Sequence, residues 1–107
     1  MTEIRFYSSE GKIIGFEISG HSGYAEEGSD IVCASISSCA YMVCNTITEV
    51  MGIAAETVEV NDGYMNFRIA ESDCEKAKDL LSGFQMHVKL LPDDYKKYVV
   101  CKNENII

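Results

Sequence analysis

The chain has 107 residues, 47% of them hydrophobic, which is enough for one packed domain spanning residues 1–107 and too little for two. Nine Lys and Arg stand against 17 Asp and Glu, and the net charge of −8 at pH 7 repels phosphate backbones and anionic membrane surfaces while attracting basic proteins and peptides. Direct nucleic-acid binding and membrane association are therefore excluded as expected roles. The five cysteines do not suit a secreted disulfide framework, because Cys33, Cys39 and Cys44 fall in one apolar segment. The first residues lack a signal peptide's basic and apolar regions, and no uninterrupted apolar run reaches membrane-spanning length, so the expected location is cytoplasmic.

In chain order, Ile4 and Phe6 alternate with polar neighbours, a turn follows at Ser8-Ser9-Glu10-Gly11, and alternation resumes with Ile14, Phe16 and Ile18. This predicts a β-hairpin. Gly20 to Asp30 hold three glycines, Gly20, Gly23 and Gly28, and predict a flexible loop. Ser29 or Asp30 can cap a helix from Ile31 to about Met51, with Ile36, Ala40, Val43, Ile47 and Val50 at helical spacing and Gly52 as its stop. A second hairpin joins Thr57–Val60 to Tyr64–Ile69 across Asn61-Asp62-Gly63, with Met65, Phe67 and Ile69 facing the core. Ser72 and Glu75 form a capping-box pattern ahead of a helix whose apolar residues Cys74, Ala77, Leu81, Phe84, Val88 and Leu91 step by three and four until Pro92. Tyr98 to Lys102 read as a last strand, at an edge or in the centre. The order ββαββαβ predicts an α+β fold, one mixed or antiparallel sheet with both helices on one face.

Two residues at the ends of the loop can carry chemistry. If Asp30 is the cap, Cys33 is the third helical residue, where the macrodipole and unpaired N–H groups favour a thiolate. His21, at the end of the preceding strand, is a candidate base, and Asp30 either orients the imidazole or only caps the helix. Backbone N–H groups around Ile31 to Ala34 would then serve a tetrahedral oxyanion. The plain alternative is that Cys33 is a small buried core residue and His21 a polar strand end. Cys39, Cys44, Cys74 and Cys101 read as packing residues, and His87 as a solvent-facing histidine. No metal is expected, since His21, Cys33, Cys39 and Cys44 lack a C-x-x-C pair, and no Gly-Lys-Ser or Gly-Lys-Thr suggests a phosphate loop or other cofactor.

The segments Gly20-His21-Ser22-Gly23-Tyr24-Ala25 and Asp30-Ile31-Val32-Cys33-Ala34-Ser35-Ile36-Ser37 resemble those of the ribosomal-processing cysteine proteases, and the resemblance extends over essentially the whole chain. It implies a cytoplasmic, usually homodimeric thiol endopeptidase that removes the N-terminal extension of large-subunit ribosomal protein twenty-seven, cutting after an aromatic residue and before a small one. It places the nucleophile on Cys33, the general base on His21 and the family's aspartate on Asp30, with Gly20, Gly23 and Gly28 letting the loop close over substrate. Ser22 and Ser35 stand where alanine is frequent in the family. The negative charge suits a basic ribosomal protein precursor as partner. Two other roles compete: a non-catalytic ribosome-assembly or peptide-binding module, and a thiol redox sensor needing a resolving cysteine near Cys33, for which Cys39 is the nearest in sequence. Tyr24 and Tyr41 are candidate aromatic walls of a substrate pocket.

Overall fold

The computed structural model describes residues 1–20 and 27–106, residues 27–30 as backbone only. Strand β1 (Thr2–Ser9) turns through Glu10 and Gly11, both with positive φ (51° and 81°), into β2 (Lys12–Ser19). Two successive positive φ values suit the right-handed twist of a tight hairpin. Helix α1 (Glu27–Asn45) runs into a π turn (Thr46–Val50), followed by β3 (Ala55–Asn61) and β4 (Tyr64–Ile69). A 3-10 turn (Glu71–Asp73) leads into α2 (Cys74–Lys89), then come a one-turn helix α3 (Asp93–Lys96) and β5 (Val99–Asn105). The strand order is β3-β4-β2-β1-β5, with β1 and β5 parallel and the other pairs antiparallel, so the sheet is mixed and the α+β expectation holds.

Alternation sorts each interior strand into an apolar and a polar face. Phe6, Phe16 and Phe67 lie in register across β1, β2 and β4 and are at most 1% exposed. Phe84 of α2 closes over them edge-on, its ring centroid 5.6 Å from Phe6 and 5.0 Å from Phe16. Val32, Ile36, Ala40, Val43 and Ile47 join the same core as Ala77, Leu81 and Val88, so both long helices pack on that face. The opposite face carries Arg5, Glu17, Asn66 and Glu59 in one cross-strand row and Tyr7, Gly15 and Arg68 in the next.

Four expectations change. Helix α1 begins at Glu27 rather than after Asp30, so Gly28 lies in its first turn and not in a loop, and Asp30 is a helical residue and not the cap. Acidic residue types favour a helix start, and the roughly 1 kcal/mol that a glycine costs in a helix does not outweigh the packing of so long an element. Val50 leaves the apolar stripe and is 81% exposed, because the π turn shifts the phase: Met51 N–H donates to Thr46 O at 2.8 Å, one residue further back than in an α-helix. Thr46 and Thr48 hydroxyls donate to the carbonyls of Met42 and Cys44, competing with the regular ladder there. The capping box is absent, since α2 has no side-chain cap bond and Glu75 instead pairs with Lys12 and Lys78. Finally, Pro92 starts α3 as its N-cap as well as following α2.

The 20-residue span Ile31–Val50 has a mean hydropathy of 1.5 and is long and apolar enough to cross a bilayer, contrary to the expectation that no segment would be. In this fold its apolar stripe is committed to the sheet and to α2.

Candidate active site

Helix α1 covers the centre of the sheet but leaves its β3 side open, because Val58 and Val60 lie on the helix-facing side yet are 62% and 46% exposed. The gap is a cleft of about 500 Å³. Cys33, Ala34, Ser37 and Tyr41 form its helical wall, the spacing of one face over two turns. Val60, Asn61, Asp62, Gly63 and Tyr64 form the opposite wall, which is the end of the second hairpin. Ile18 and Met65, a cross-strand pair, form part of the lining between the two walls.

Cys33 is held at this edge by its neighbours: Val32 and Ile36 are fully buried in the core, and Cys33 itself is 8% exposed. The helix start at Glu27 makes Cys33 the seventh helical residue rather than the third. The macrodipole effect fades beyond the first turn, so it contributes less here than a first-turn position would provide. The helix's unpaired N–H groups fall at residues 27–29, and those of Ile31 to Ala34 belong to the helical ladder and are not free for an oxyanion.

Where a thiol's surroundings are resolved, they point the other cysteines toward inertness. Burial raises the Cys44 thiol to about 12 and also raises Cys39. Cys74 packs against the core. Cys101 lies in register with the buried Ile4, on the helix-facing side of the edge strand β5, but is exposed rather than packed. Cys39 lines a separate groove between α1 and α2 with His87, which is solvent-exposed as expected. Cys33 and Cys39 thus open onto different clefts, which removes the obvious resolving partner from the redox reading.

His21, Gly23 and Tyr24 lie outside the described residues, as does the side chain of Asp30. Gly20 is described: it has a φ of 100°, and a Cβ there would sit 2.4 Å from the Met1 carbonyl oxygen. Close backbone approach therefore requires glycine at the end of β2. Tyr41 lies in the cleft as the sequence suggested. The whole hairpin wall was missed, because Asn61-Asp62-Gly63 announces a turn but not what the turn stands beside. Tyr64 ties that wall to the sheet, its hydroxyl donating to Glu17 Oε2 at 2.7 Å.

The arrangement is a recessed thiol in an open groove whose described helical wall carries no charge, a shape that admits an extended chain. Known proteins match it in sequence and in fold. The family model described as cysteine protease Prp matches residues 1–100. The ribosomal processing cysteine protease Prp of Bacillus subtilis (strain 168) is 32% identical over 89 residues, 78% of this chain and 80% of that protein. SMU.848 from Streptococcus mutans superposes with a TM-score of 0.79 at 25% identity, covering 98% of this chain and 95% of the other. The ribosomal processing protease Prp from S. aureus, solved in complex with a substrate peptide, gives a TM-score of 0.85 at 19% identity over 97% of this chain and 100% of the other. The chain belongs to the cysteine protease Prp family and is a peptide hydrolase of the thiol class.

Proposed function

We propose that Cys33 is the nucleophile and His21 the general base of a cytoplasmic endopeptidase that removes the N-terminal extension of large-subunit ribosomal protein twenty-seven, cutting after an aromatic residue. One observation carries the choice of nucleophile: of the five cysteines, Cys33 is the one lining the cleft between α1 and the second hairpin. The imidazole takes the thiol proton, and the thiolate attacks the scissile carbonyl carbon. The tetrahedral intermediate collapses to a thioester as the imidazolium returns the proton to the leaving amine. Water, deprotonated by the same imidazole, then attacks the thioester and releases the carboxylate product and the free thiol.

The cleft's Tyr41, Val60 and Met65 supply apolar surface for an aromatic side chain. The relative from S. aureus binds a substrate peptide, which supports a peptide rather than a folded surface as ligand. Membership in a protease family also displaces the non-catalytic binding module as the leading reading. The proposed enzyme is the homodimer that the family resemblance implies, with the exposed Val58 on edge strand β3 as apolar surface for it.

The test is co-incubation with the host's ribosomal protein precursor, read by intact mass. Wild type and Cys39→Ala are expected to give one cut after an aromatic residue, and Cys33→Ala and His21→Ala none. Full activity in Cys33→Ala overturns the assignment.

A further inference from the structure

The cleft walls differ in charge. On the helical side Cys33, Ala34, Ser37 and Tyr41 carry none, and across from them the turn of the second hairpin presents Asp62, the one formally charged residue among the described residues lining the cleft. Among the described residues no side chain hydrogen-bonds or ion-pairs with its carboxylate. No competing cation stands on the same element, since residues 55–64 include Glu56, Glu59 and Asp62 but no Lys or Arg. The turn is also a firm platform. Asn61 and Tyr64 pair across it, Gly63 alone of its two central residues takes a positive φ (73°), and Tyr64 is bonded to Glu17 on β2.

Resting on the reading of Cys33 as nucleophile, we propose that Asp62 is a specificity-determining residue that pairs with a cationic side chain, Lys or Arg, of the peptide lying in the cleft. The bond to be cut and this charge are read by opposite walls of one groove, so the cation must stand at a fixed number of residues from the scissile bond. An overall negative field attracts any basic chain, whereas a single carboxylate on a fixed turn distinguishes positions within it.

The experiment uses ten-residue peptides with one aromatic–small bond, in which a single Lys, Gln or Glu is walked through the three positions on each side. For wild type, kcat/KM should favour Lys over Gln about three- to fivefold at one position, the yield of one partly exposed ion pair. Asp62→Asn should bring that ratio close to one, and Asp62→Lys should turn it into a preference for Glu at the same position. The same peptides titrated by fluorescence anisotropy onto Cys33→Ala, with and without Asp62→Asn, measure the preference without turnover. A preference in binding with no cleavage by wild type would leave the Asp62 assignment standing and remove the protease reading of Cys33. Cleavage with the same Lys-to-Gln ratio in wild type and Asp62→Asn, or with no Lys preference at any position, overturns the assignment.

Discussion

Tyr64 stands where the cleft meets the outer face of the sheet, and the bond it donates to Glu17 has a pH signature. That bond, reinforced by partial burial and the negative charge of the same carboxylate, raises the phenol to about 12. An unfolded tyrosine titrates near 10. A folded value above the unfolded one means that the protonated, bonded form contributes its stability in full below about pH 10, and that this is lost as pH rises from about 10 to about 12. Because the side chain is only partly buried, the bond contributes about 0.5–1 kcal/mol at most. Urea midpoints should therefore place wild type above Tyr64→Phe at pH 8 and bring the two together by pH 12. An equal gap at both pH values would show that the hydroxyl does not contribute through this bond. The residue also shows that a polar contact 47 positions apart in sequence can fix a cleft wall.

At the level of elements, the seam between β2 and β4 carries both the core and the cleft. Gly15 lies in register between Tyr7 and Arg68, and the Arg68 guanidinium reaches over the Tyr7 ring, 4.5 Å from its centroid. A Cβ on Gly15 would fall 2.1 Å from the Phe67 carbonyl oxygen, a backbone atom that cannot move without opening the seam. Gly15→Ala is expected to cost about 4 kcal/mol or more, in the range reserved for backbone clashes. It should also lower activity, since Ile18 and Met65 of the cleft lining pair across the same seam. Thermal and urea denaturation check the first part, and a stability loss under 1 kcal/mol would refute it. Both hairpins and α2 were legible in the sequence because alternation and three-to-four spacing are local and each was bounded by a turn or proline. The start of α1 was not, because Gly28-Ser29-Asp30 has the composition of a loop and a cap, yet its backbone continues the helix. Val50 was misplaced for a related reason: a π turn changes the period without changing the residue types that precede it. His21 and Cys33 stood out by chemistry alone, whereas Val60, Asp62 and Tyr64 could not, since which loop faces Cys33 depends on the strand order β3-β4-β2.

For the whole molecule, the net charge of −8 acts before any contact forms. A basic substrate approaching such a body is steered by the summed field, which is screened over about 8 Å at physiological ionic strength and about 3 Å at 1 M. Steering raises the rate of encounter and leaves the chemistry of a bound peptide alone, so salt should lower kcat/KM and spare kcat. The expected fall in kcat/KM for the basic precursor between 0.05 and 0.5 M salt is about tenfold, taken from the lower end of measured steering effects. A neutral peptide with the same scissile bond should change little over that range. Asp62→Asn separates the global field from the local pair: it removes one of 17 acidic residues, so the salt slope for the precursor should persist while the positional preference for lysine disappears. Parallel salt curves for the basic and neutral substrates would refute steering. Loss of the whole slope on changing Asp62 alone would assign the attraction to one carboxylate in the cleft rather than to the molecule's charge.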